Sequence, residues 1–193
     1  MTTESTTPSP RSVSTTAIAF IREAAQVGHW YLEGTIADVT AEQAHYAPPG
    51  RANPLGATYA HVVCSEDLIV NGMLRQAAPL SISTHAGKTG LSEPMPMPGS
   101  SDWSDVYAAW TRRVHVDLPT LKLYGADVYA ATDAYLATLS DGDLDRELDL
   151  TAVGFGKQKL GWLLNFLLLN HVGTETGEIA VLKGIQGAKG YPF

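Results

Sequence analysis

The chain has 193 residues, 45% of them hydrophobic, which suits one domain with a sizeable core. A net charge of −7 and a pI near 5.2, with no basic run longer than Arg112–Arg113, argue against a nucleic-acid or anionic-membrane surface, because both need a basic patch. The single cysteine, Cys64, excludes an internal disulfide and fits a reducing cytoplasm. The longest apolar run is broken by Asn165 and Asn170 and is too short for a bilayer, and no signal-peptide pattern is seen at the start.

Residues 1–13 are rich in Ser, Thr and Pro, and their composition predicts a disordered tail before a single domain over 14–193. Ser14-Thr15-Thr16 offers an N-cap, and Ala17 to Ile36 carries an apolar stripe at Ile18, Ile21, Ala25, Trp30 (or His29) and Leu32, which predicts a first helix ending near Asp38. Thr40-Ala-Glu-Gln resembles a capping box on a single turn. Asn53-Pro54 restarts a helix, with asparagine as cap and proline at the first position. This second helix is predicted to run to about Gln76, with Leu55, Tyr59, Val62, Val63, Leu68, Ile69 and Met73 as core and His61 among them.

From 77 to 101 the periodicity collapses in a stretch holding four prolines and three glycines. A connector of that length inside a compact domain is functional or a crossover, and in a bundle it lets helix three run parallel to helix two. Ser101-Asp102 is read as the cap of a third helix from Trp103 to about Leu139, with Val106, Trp110, Val114, Leu118 and Leu121 on one face and a kink or break just before Pro119. An acidic turn over 140–149 and a short extended piece over 148–155 follow.

The fourth helix, within Lys159–Gly184, is apolar all round from Leu160 to Leu169, a pattern that predicts a central place in the bundle. His171 and Glu175 then lie one turn apart on the same face, the spacing by which one helix offers two ligands to a metal ion. The expected fold is therefore all-α, a four-helix bundle with one long crossover between helices two and three.

The phrases NPLGATYAHVVCSEDLI in helix two and NHVGTETGEIAVLKGIQGAKGYPF in helix four resemble the DinB/YfiT-type metal-binding bundle superfamily from Thr15 onward. The resemblance implies a divalent metal, zinc or nickel with iron as a further option, held by His61, His171 and Glu175. Glu175 stands where the family usually has histidine, which either makes a two-histidine, one-carboxylate site or marks a decayed one. It further implies a small-molecule substrate, a homodimer, and thiol S-transfer with a low-molecular-weight thiol of the mycothiol or bacillithiol type, since a metal-bound thiol is deprotonated at neutral pH, with hydrolysis by a metal-activated water as the other enzymatic option. The alternative is a non-catalytic, small-ligand-binding or stress-related bundle with a vestigial site.

Each residue also has a plainer reading. His61 alone suits a satisfied core histidine, and Glu175 an ordinary ion pair. Glu178, one turn further along, is open to three roles: orienting a ligand, acting as a catalytic general base, or facing solvent. Glu66 reads as a structural salt-bridge partner and Cys64 as a small buried hydrophobe. Tyr59, Trp103, Trp110 and Trp162 read first as core, and His85 sits in the long connector within reach of a site mouth.

Overall fold

The computed structural model describes residues 16–97 and 102–193, so the expected tail over 1–13 and the Ser101 cap lie outside the described residues. Helix α1 spans Ala17–Ile36 and begins as expected, with the Thr16 side chain accepting from Ala19 N at 3.3 Å. A second cap comes from far along the chain: Asp141 accepts from Ala17 N at 3.2 Å and Ile18 N at 2.9 Å, placing a carboxylate at the positive end of the helix. The short helix α2, Ala41–His45, carries a full capping box between Thr40 and Gln43.

Helix α3 starts at Leu55 with Pro54 at the cap position. Asn53 does not cap it; its side-chain oxygen instead accepts from the Thr111 hydroxyl at 3.0 Å. After Glu66 the helix widens to π-type turns over Asp67–Leu74, as in the bond from Arg75 N to Val70 O at 3.0 Å. The expected third helix is broken. Helix α4 is Trp103–Arg113 and helix α5 is Leu118–Leu136, with Pro119 in the first turn of α5, where no amide partner is required.

Side-chain bridges set the helix directions. Glu33 meets Tyr59 while His29 meets Glu66, so α1 and α3 are antiparallel. Lys122 reaches Ile36 O while Arg22 pairs with Asp133, so α1 and α5 are antiparallel too. Helices α3 and α5 therefore run parallel, as the long connector predicts. That connector is pinned rather than loose. Leu80 N and Ser81 N donate to Asp67, Asp117 N donates to Gly90 O at 2.7 Å, and Leu91 bridges to Val116. Gly90 has φ +81°, and a Cβ there would come within 2.6 Å of Leu121 N, so only glycine lets the connector lie this close to α5.

The extended piece is a hairpin, β1 (Glu147–Leu150) and β2 (Gly156–Lys159), antiparallel with Leu148 opposite Gln158. It feeds the fourth helix, which consists of α6 (Leu160–Leu164), π-type turns over Asn165–His171 and α7 (Val172–Ile185). Lys183, buried, donates to Thr35 O, and Gly28 packs on Val172, so α7 runs parallel to α1. Helices α1 and α3 each pack on both α5 and α7 and face each other across the core.

Three inward-facing expectations are corrected. On α1 it is His29 that is buried, while Trp30 is 60% exposed, because the buried Glu66 offers His29 a partner. The run Leu160–Leu169 is not central: Leu163, Leu164, Leu167 and Leu168 are buried, whereas Trp162 is exposed and stacks on Phe166 at 5.2 Å. Its outer apolar side meets the hairpin, through Phe155, instead of another long helix. Val106 is likewise exposed on α4.

Candidate metal centre

His61 is presented by α3, and His171 and Glu175 by the junction of the second π-type segment with α7. Among the described residues these three form the group that can hold a metal ion, each offering a donor atom with all of them within 4.8 Å of one another. The two imidazole rings meet edge-on with centroids 4.9 Å apart, and His171 Nε2 lies 3.8 Å from Glu175 Oε1. The last distance is too long for a hydrogen bond.

Other bonds orient the set. Ser65, one turn after His61, places its hydroxyl 3.4 Å from His61 Nδ1. His171 Nδ1 is buried without a hydrogen-bond partner, an arrangement that costs about 1–3 kcal/mol unless something coordinates there. Tyr107 from α4 packs its ring on His61 at 5.1 Å and on Trp103 at 5.1 Å.

The electrostatics favour neutral ligands. Burial pushes the His61 imidazole down to about 3, with the neighbouring His171 adding to the effect. Burial also lowers His171, against an opposing pull from Glu66. Both rings are therefore unprotonated at neutral pH and keep their lone pairs for a ligand role. Burial, then the charge of Glu178, pushes the Glu175 carboxyl up to about 7. The residues fit a divalent ion: two neutral imidazoles, one of them with an orphaned buried nitrogen, and one carboxylate make a donor set suited to zinc, nickel or iron.

The remaining candidates separate cleanly. Glu66 is structural: it accepts from Thr132 at 2.6 Å and pairs with His29 at 2.9 Å, fully buried. Glu178 is half-buried and stands outside the three-donor group, acting through its charge on Glu175 and Tyr107. The Cys64 thiol is pushed up to about 12, by burial and then by the charge of Asp67, and it too lies outside the group. It is partly buried and packs against the hydrophobic core, a packing role with less burial than the plainer reading expected. His85 is not at the site mouth; its ring pairs with Asp127 at 2.7 Å on α5. Tyr59 and Trp110 are core, but Trp103 lines a cavity.

That cavity, about 560 Å³, opens beside the two histidines. Both π-type segments line it, through Leu68, Ile69 and Met73 on one side and Phe166, Leu167 and His171 on the other. Met95 of the connector and the 150–155 hairpin turn complete the wall. Sequence reading missed Tyr107, Ser65 and the hairpin turn. Two of these had a signal: Trp103, Tyr107 and Trp110 form an i, i+4, i+7 stripe, and Ser65 is four after His61. The turn had none.

Among curated proteins, no relative matches this sequence. Among solved structures, the fold is similar to the crystal structure of a conserved protein from Enterococcus faecalis, with a TM-score of 0.65 at 19% identity, covering 89% of this chain and 99% of that one. The sequence profile of the DinB superfamily matches residues 30–173, a span that includes His61 and His171 and stops just short of Glu175. The chain belongs to the DinB superfamily.

Proposed function

We propose that His61, His171 and Glu175 hold a divalent metal and that the chain is a metal-dependent enzyme of the thiol S-transferase class. The observation that carries the metal reading is the convergence of three donor atoms within 4.8 Å at the edge of a cavity, with one imidazole nitrogen buried and unpartnered. When bound, the metal would supply Lewis acidity that deprotonates a thiol at neutral pH. The chain's own residues do the rest. Ser65 and Tyr107 hold the His61 ring, both histidines stay unprotonated, and the apolar wall excludes water around the reacting atoms. In this reading Glu178, whose charge acts on Glu175 and Tyr107, would serve as the general base.

Thiol transfer rests on superfamily membership joined to this site. Its test is calorimetric titration of the zinc-loaded chain with a low-molecular-weight thiol. Binding that disappears in His171→Ala is expected; equal binding in that variant defeats the thiol reading. The alternative, a non-catalytic ligand-binding bundle, draws on the described residues lining the cavity, which include no Lys, Arg, Asp or Glu and whose two histidines are neutral.

The raised Glu175 carboxyl makes metal binding pH-dependent in a defined direction. Below about 7 the metal must displace the Glu175 proton, so affinity should rise with pH by up to about tenfold per unit until it levels near that value. The fold responds with the opposite sign when metal-free. A carboxyl whose folded value is raised costs stability as pH climbs from the ordinary carboxylate range through about 7. Competition titrations with a chromogenic chelator across this range check the slope, and Glu175→Gln should flatten it.

We also infer that two copies pair through the adjacent α1 and α7 faces, where Phe20 and Trp30 are each 60% exposed and Val181 is 63% exposed. Light scattering should give a dimer mass that Trp30→Glu reduces to a monomer; a monomeric parent chain overturns the pairing.

A further inference from the structure

The cavity beside the histidines differs from a site built for a polar metabolite. Among the described residues that line it there is no Lys, Arg, Asp or Glu, and the polar side-chain groups are the imidazoles, Ser65, Thr151 and the Trp103 indole N–H, which donates to Pro96 O. Away from the histidine end, a carboxylate, phosphate or sulfonate would be desolvated against this wall with no counter-charge, a cost that charged ligands avoid in sites built for them. Its volume of about 560 Å³ sits within the range of sites that enclose a small molecule.

Two features argue for an occupant and against a packing defect. Both π-type segments, Asp67–Leu74 and Asn165–His171, line this one cavity, and widened turns of this kind gather at functional sites. Its walls carry Met73, Met95 and the rings of Trp103 and Phe166, adaptable and polarisable groups that suit aromatic and alkyl surface.

We infer that this cavity takes an uncharged, largely apolar small molecule, an aromatic or medium-chain alkyl group, with one polar head directed at His61 and His171. Only the role of that head rests on the metal reading proposed above. The body of the ligand is recognised by Leu68, Ile69, Met73 and Phe166, and the hairpin turn at Val153 closes over it. As a substrate class this means a hydrophobic electrophile; ligands that carry charge on the body held away from the histidines are disfavoured.

The test uses the full chain with N-phenyl-naphthylamine, an uncharged apolar fluorophore. Saturable one-site binding is expected with or without zinc. Val153→Asp, on a surface turn whose change leaves the helical core intact, should weaken binding about tenfold or more by placing a carboxylate in the apolar wall. Leu123→Asp, on an exposed face of α5 that does not line the cavity, should leave it unchanged. Absence of saturable binding, or equal affinity in Val153→Asp, overturns the inference. A separate arm isolates the metal: decanohydroxamic acid and decanamide displace the fluorophore from zinc-loaded chain. Tighter displacement by the hydroxamate supports the head-group placement. Equal displacement by both defeats the metal reading while leaving the apolar site standing.

Discussion

Alanine at His171 should empty the chain of metal without unfolding it. The parent protein, purified untagged and reloaded with zinc, is expected to carry near-stoichiometric ion by elemental analysis. Loss of an outer-shell partner of a metal ligand already costs about 10–100-fold in affinity, so loss of a ligand costs more, and His171→Ala and His61→Ala should each retain almost none. Glu175→Ala should bind weakly, since two imidazoles remain on facing helices. Stability separates a binding defect from a folding defect. In the metal-free chain His171 Nδ1 is a buried nitrogen with no partner, so removing the ring removes an unsatisfied polar group along with some packing. Metal-free His171→Ala should therefore unfold within about 1 kcal/mol of the metal-free parent, because the two terms offset. Zinc should raise the melting temperature of the parent and not of the variant. Metal retained in His171→Ala, or absent from a reloaded parent, would sink the three-ligand reading. Metal lost in His61→Ala but fully kept in Glu175→Ala would make Glu175 a bystander.

The second large effect concerns stability. Asp67 is fully buried and accepts four hydrogen bonds: from Tyr124 Oη at 2.7 Å, Asn71 Nδ2 at 2.8 Å, Leu80 N at 2.8 Å and Ser81 N at 2.9 Å. It joins three parts of the chain, the widened end of helix two, the beginning of the connector and the middle of α5. Asp67→Ala strands these donors, two of them backbone amides, and should lower the unfolding free energy by about 3–5 kcal/mol after the relief of desolvating a carboxylate is counted. Asp67→Asn should cost nearly as much, since its NH2 group faces donors. Urea denaturation of the metal-free chains measures the difference. A loss below about 1 kcal/mol would show that the connector is held by other contacts, such as the Gly90–Asp117 bond. Metal content of any folded Asp67→Ala should be unchanged, because Asp67 is not among the three donors.

Much of this molecule was legible in the linear chain because its determinants are local. The first-helix bounds, the Thr40–Gln43 box, the break before Pro119 and the His171–Glu175 turn all follow from capping chemistry, proline geometry and helical spacing. The long proline-rich connector implied a crossover, and the parallel run of α3 and α5 follows from it. His61 stood out as an imidazole in an apolar stripe, and its partner group was identified through the superfamily resemblance in helix four.

Other features depend on contacts between segments far apart in the chain, which periodicity does not encode. His29 and Trp30 are neighbours on one helix edge, and only the carboxylate of Glu66 on the opposite helix decides that the imidazole turns inward. Asn53 has the chemistry of a cap, yet Thr111 takes its side chain, while Asp141 supplies a cap to α1 from the far end of α5. The run Leu160–Leu169 is apolar all round because one side packs in the core and the other meets a cavity and a hairpin, two environments that a single sequence pattern does not distinguish. The sequence by itself determined the helices, the crossover and the residue types of a metal site. The tertiary structure alone decided that those donors meet at the edge of an uncharged cavity, because that meeting depends on how four helices and a hairpin turn pack together.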